Sequence, residues 1–486
     1  MLTRREMLDL TAKGACLSLP GASLFGRPTV SFASAPSAFL PAPPSRRPAV
    51  QDRKFHSPAI EAYVQRVSRS IADPELAWLF ENCFPNTLDT TVQTGTFAGK
   101  PDTAVITGDI AAMWLRDSSA QVWPYLPLAA HDAALRQMLE GIIRRQARCI
   151  LIDPYANAFM ADLNAPSLEW SRTDITEHKQ GVGERKWELD SLCYPMRLSY
   201  GYWRATGNTA SFDTGWQAAM RLAVETMRVQ QRKHGPGPYR FQRASRIPTE
   251  TLANDGFGAP CSPVGLIASG FRPSDDACTF PFLVPANLFA VKALRDLARM
   301  AHEILHDDAL ASAAQSLADE VATALQQHAI VRGEQGTMWA YEVDGFGSRL
   351  LMDDANVPSL LALPYLDCSP DAALYGRTRE FVWSERNPWF FAGTAGSGVG
   401  GPHEGRPMIW PMSLTIYALT SQSAVEIRSM LQMLKHASAG SGFMHESFNA
   451  NDASKFTRSW FAWANSLFGE LVAKIAQTQP RLLENV

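Results

Sequence analysis

The sequence lacks a dominant charge. Its 45 basic and 48 acidic residues leave a net charge of −3. No basic block or stripe stands out, which argues against a nucleic-acid interface. A long apolar run is also missing. The nearest candidate, residues 12–25, is broken by Lys13 and is too short to span a bilayer. Cysteine is sparse, with seven residues in 486 and no C-x-x-C pair, so no structural zinc is expected. The six cysteines beyond Cys16 are read as buried thiols, because a large core needs no disulfide staples. No short sequence period is visible, which argues against a solenoid. Strand-like segments are few and short, at 104–106 and 338–343.

What the chain does have is helical periodicity. Ser57-Pro58 and Asp73-Pro74 each pair a capping side chain with proline at the first helical position. Ile60, Val64, Val67 and Ile71 share one helical face; so do Leu310, Ala314, Leu317, Val321 and Leu325. Further helices are expected at 211–232, 285–301, 409–420 and 423–436. About a dozen helices with no second-domain signal suit hairpins closed into a toroid. The expected fold is therefore all-α, an (α/α)6 barrel spanning 56–486. Long loops rich in Gly, Pro, Trp and Asp would gather at one end as a pocket. Ahead of it, 36–55 reads as a Pro/Ala/Ser-rich linker. Residues 1–35, with Arg4-Arg5 before an apolar stretch, read as a twin-arginine export signal of a periplasmic or secreted bacterial protein.

Two carboxylates in tryptophan-rich surroundings carry the chemistry. Asp190 lies in Lys186-Trp187-Glu188-Leu189-Asp190-Ser191, and Glu446 in Phe443-Met444-His445-Glu446-Ser447-Phe448, 256 residues later. An acid, a base or nucleophile, and rings to hold a sugar face are what glycoside hydrolysis needs. Asp190 also reads as a helix cap, and Glu188 is its rival. Trp114, Arg116 and Asp117 sit together at a helix start, where an Arg–Asp pair suits adjacent sugar hydroxyls or a buried structural contact. Arg272, Asp275 and Asp276 form a second Arg/Asp group in a Gly/Pro loop; its spacing does not fit an EF-hand. The 396–401 glycines are not followed in the way a dinucleotide loop requires and read as a flexible pocket rim. His403 beyond them and His445 beside Glu446 are candidate substrate contacts or satisfied packing histidines.

Taken together, these segments resemble glycoside hydrolase family 125, the exo-acting α-1,6-mannosidases. The resemblance rests on Cys83–Thr90, the 108–121 stretch with Leu115-Arg116-Asp117-Ser118, Glu188–Leu192, Ser269–Asp276 and His445–Phe448. It implies an (α/α)6 barrel, inversion at the anomeric carbon, and no catalytic metal or cofactor. It implies a mannose-containing glycan as substrate, Asp190 as general acid and Glu446 as general base. Arg116, Asp117, Arg272, Asp275 and Asp276 match segments expected to line the sugar pocket. The alternatives are another enzyme of the same fold, an α-glucosidase or polysaccharide lyase, and a glycan-binding protein without catalysis.

Overall fold

The computed structural model describes residues 43–486 apart from 335, 370 and 485. The export-signal reading falls on residues outside that range. Thirteen α-helices occur among the described residues: α1 (Pro58–Ser70), α2 (Pro74–Cys83), α3 (Asn86–Thr90), α4 (Leu115–Val122), α5 (Ala133–Ile152), α6 (Asp190–Thr206), α7 (Thr214–Val229), α8 (Val284–Met300), α9 (Asp308–His328), α10 (Ala372–Val382), α11 (Pro411–Leu419), α12 (Ala424–Ala437) and α13 (Ala462–Thr478). None is long and apolar enough to cross a membrane.

Their sequences divide them into two groups. Every residue of α4 and α11 is buried, and α6, α8 and α13 are buried along most of their length. α11 is apolar nearly all round, as suits a helix inside a layer of others, whereas α4 is buried although it carries Arg116, Asp117 and Gln121. These five pack in the chain α11–α13–α4–α6–α8. The amphipathic helices lie outside them: α5 and α9 each bury one stripe, α5 against α6 and α7, α9 against α8. Helix starts follow the expected caps. The Ser57 hydroxyl accepts from the Ile60 N–H at 3.1 Å and the Asp73 carboxylate from Leu76 at 2.9 Å.

The molecule is mostly helical, but the all-α expectation misses six small sheets of two or three strands among the described residues. All are antiparallel and none has a strand longer than six residues. Such strands are too short for alternation to betray them. Three of the sheets matter for the site. One pairs 112–114 and 182–184 with the central 158–160. Another pairs 282–283 and 349–350 with 342–343. The third pairs 447–449 with 408–409 and 452–457. The 396–401 glycines are not a loose rim. Residues 397–399 form a strand, and a Cβ on Gly400 would lie 2.0 Å from the Met408 carbonyl oxygen.

Residues 43–55, read from composition as a linker, lie against α1 and α3. Arg47 binds Asp89 through Nε at 2.8 Å and also pairs with Glu61. The six described cysteines are free thiols.

Candidate active site

The β-strand 112–114 ends in Trp114, whose buried ring packs with Ala112, Ala158 and Leu168, and the chain turns at once into α4. That turn delivers Arg116 and Asp117 inward. Thr107 Oγ donates to Asp117 Oδ1 at 2.7 Å. Arg116 stands at the centre of an acidic cluster. Its guanidinium lies 3.5 Å from Asp117, 3.4 Å from Asp275 and 3.6 Å from Asp190, and it bonds Glu188 directly. Asp275 reaches it from a tight turn in which its own backbone is left-handed, φ 66°. Lys186 Nζ holds that turn by donating to the Asp275 carbonyl at 2.8 Å.

The two carboxylates at the start of α6 differ in their surroundings. Glu188 accepts from Asn157 Nδ2 at 3.2 Å and Ser191 Oγ at 2.9 Å as well as from Arg116. Asp190 is the first residue of α6, yet it caps nothing. It is fully buried, and neither carboxylate oxygen has a hydrogen-bond partner. Burial pushes its carboxyl up to about 6, with Arg116 partly opposing. Burial also raises Glu188 well above the carboxylate range, against Arg116 and with help from Asp275 and Asp190. Four carboxylates around one guanidinium cannot all stay ionised out of water. Burial therefore favours the protonated forms of Asp190 and Glu188.

Glu446 lines one small pocket with Arg116, Asp117 and Asp275, while Asp190 and Glu188 stand behind Arg116, outside that lining. Trp114, Trp410, Phe461 and Trp463 supply its rings; Arg116, Asp117, Asp275, Asn356 and His403 supply its polar groups. Arg458 Nη1 lies 3.4 Å from Glu446 Oε1. Donor atoms of His403, Glu404 and Glu446 converge within 4.8 Å. The Arg458 guanidinium already supplies positive charge there, so we assign no metal to the trio.

Three expected pocket residues are elsewhere. Arg272 is buried against Glu342, its Nε 2.6 Å from Oε1, and holds the turn that presents Asp275. Asp276 is buried just behind the lining, its Oδ2 accepting from Ser274 Oγ at 3.4 Å and lying 4.0 Å from His403 Nδ1. His445 stacks on Phe456 with ring centroids 3.6 Å apart, and its nitrogens face the Arg458 and Ser438 carbonyls. Consecutive side chains of extended chain face opposite ways, so Glu446 in the pocket puts His445 outside it. Trp187 is likewise core, with Nε1 bonded to the Ala268 carbonyl. Sequence reasoning missed Arg458 and Glu404 as neighbours of Glu446. The turn-forming Asn449-Ala450-Asn451-Asp452 between Phe448 and Phe456 was the available signal for the hairpin that brings Arg458 back.

Residues 73–473 match the family model described as metal-independent alpha-mannosidase (GH125). A Schizosaccharomyces pombe relative, the meiotically up-regulated gene 157 protein, is 42% identical over 459 residues, 91% of this chain and 90% of its own. A solved Streptococcus pneumoniae metal-independent α-mannosidase, in a non-productive complex with α-1,6-mannobiose, is 38% identical with a TM-score of 0.83. The match covers 88% of this chain and all of that one. A family 78 rhamnosidase from Bacillus sp. GL1 shares the fold alone, at 12% identity and a TM-score of 0.52 over 84% of this chain and 35% of its own. The fission-yeast relative overturns the bacterial, twin-arginine-exported reading: a eukaryotic protein this similar along nearly its whole length removes the bacterial setting on which that export route depended. The chain belongs to glycoside hydrolase family 125, the metal-independent α-mannosidases, and is a glycoside hydrolase.

Proposed function

We propose that the protein is an inverting, exo-acting mannosidase that removes non-reducing terminal α-1,6-linked mannose. The observation that carries this reading is the convergence of carboxylates: Glu446 shares one pocket with Arg116, Asp117 and Asp275, and Arg116 reaches back to the buried Asp190 at 3.6 Å. The mannobiose bound to the Streptococcus pneumoniae relative supports the α-1,6 linkage.

In this mechanism Asp190 is the general acid. It begins protonated, as its raised carboxyl favours, and gives its proton to the glycosidic oxygen as the bond to the anomeric carbon breaks. Arg116, 3.6 Å away, steadies the carboxylate left behind. Glu446 is the general base and takes a proton from the water that attacks the opposite face of the ring. Arg116, Asp117, Asp275 and His403 bind the sugar hydroxyls, and Trp114 offers a ring edge or face. No metal or cofactor takes part. In this reading the helices form an (α/α)6 barrel. One catalytic domain spans 56–486, with 43–55 packed onto it.

The linkage is tested by comparing α-1,2-, α-1,3- and α-1,6-mannobiose as substrates of the purified chain. Release of mannose from the α-1,6 disaccharide at least tenfold faster than from the others is expected; equal rates on all three would refute the assignment.

A further inference from the structure

Glu446 and Arg458 stand opposite each other at the open end of one hairpin. Its outermost paired residues are Ser447 and Thr457, so the next residues out, 446 and 458, face one another. Arg458 has a left-handed backbone, φ 47°, and a side chain only 2% exposed. Its Nη1 is 3.4 Å from Glu446 Oε1, while Nη2 donates to the Thr107 carbonyl at 2.6 Å and bonds Asp109. Phe461 lies under the guanidinium at 4.8 Å. A second contact runs through the backbone: His445 Nδ1 lies 3.1 Å from the Arg458 carbonyl oxygen. Asp109 is 55% exposed. A buried cation thus connects the solvent edge at Asp109 to the carboxylate inside.

We propose that Arg458 is the positioning residue for Glu446, with Asp109 as its outer anchor. This rests on the reading of Glu446 as the base. A guanidinium on one carboxylate oxygen fixes the plane of the group and favours the ionised form that a base requires. Asp109 competes for the same positive charge. The other charged or titratable groups around Glu446 are His403 and Glu404 from the loop after the 397–399 strand, Arg116 and Asp117 from α4, and Asp275 from the turn at 272–276. None of them lies on the hairpin.

The test uses α-mannosyl fluoride, whose leaving group needs no protonation, so the base step is read without the acid. The whole chain and its Glu446→Gln, Arg458→Gln, Arg458→Lys and Asp109→Asn variants are compared for kcat, KM, pH profile and Tm. Arg458→Gln is expected to lower kcat about 100-fold with KM little changed, and to move the ascending limb of kcat up by about one pH unit. Arg458→Lys recovers part of both. Asp109→Asn moves the limb the other way, because Arg458 is then free to serve Glu446 alone. An Arg458→Gln variant with an unmoved limb, or with a lower Tm as its sole defect, overturns the proposal, as do shifts of the same sign in both variants. If Glu446→Gln itself keeps near-normal turnover, the base assignment fails; if it is inactive while Arg458→Gln keeps the wild-type profile, the positioning role alone fails.

Discussion

At the scale of the residue, the account turns on a carboxyl kept out of water. Asp190→Asn preserves shape and removes the proton. We expect kcat on α-1,6-mannobiose to fall by about 10²–10⁴-fold, and turnover of α-mannosyl fluoride to fall far less, since fluoride departs unassisted. Equal losses on both substrates would contradict an acid role. The same burial has a thermodynamic side. Asp190 binds its proton more tightly folded than unfolded, so its contribution is fully present below about pH 4 and is lost as pH rises through about 6. The Asn variant is spared that loss. Its Tm should exceed the wild type's at pH 7.5 and match it at pH 4; a constant difference across that range would contradict the raised carboxyl. The two carboxylates and Arg116 were legible in the sequence because each stands in a distinctive local segment. Arg458 was not, because its partner contacts at Thr107 and Asp109 arise more than 340 residues away along the chain. His445 and Arg272 misled because adjacency in sequence says nothing about which way a side chain points.

At the scale of the element, helices were legible and strands were not. The stripe Leu310, Ala314, Leu317, Val321 and Leu325 is buried throughout in α9, since a 21-residue helix repeats its pattern often enough to be read. Strands of two to six residues do not, and the glycines at 396–401 suggested looseness where they serve close packing. Gly400→Ala places a methyl group against a backbone carbonyl that has nowhere to go. It should abolish soluble expression or lower Tm sharply, and normal expression with unchanged Tm would sink the packing argument. The starts of α1 and α5 share one capping network. Ser57 Oγ accepts from Ile60 and donates to Asp132 at 2.5 Å, and Asp132 accepts from Leu135 at 3.0 Å. Ser57→Ala breaks both links and should cost about 1–2 kcal/mol in denaturant unfolding; no measurable loss would mean that water replaces the hydroxyl at both ends.

At the scale of the whole molecule, the two proposed catalytic carboxylates come from segments 256 residues apart in the chain. Asp190 starts α6 and Glu446 precedes the last hairpin; the packed series α11–α13–α4–α6–α8 joins them. The segment at 43–55 belongs to this body. Asp89 is nearly fully buried, with Arg47 and Arg53 as its cationic partners, both from that segment. Burial already raises the Asp89 carboxyl. A chain beginning at residue 56 should therefore be less stable than one beginning at 43 by about 3–5 kcal/mol, the cost of leaving a buried charge alone; equal unfolding midpoints would show that the segment merely rests on the surface. Composition could not reveal this, because a proline- and alanine-rich stretch looks the same whether it is free or fastened by two arginines.

The central claim is a pair of carboxylates working on opposite faces of one mannose ring. The most direct measurement is proton NMR of the enzyme with α-1,6-mannobiose, recorded from the first minutes, before mutarotation mixes the anomers. The account requires β-mannose to appear first. Early α-mannose would mean retention, and Glu446 would then not be the base that activates water.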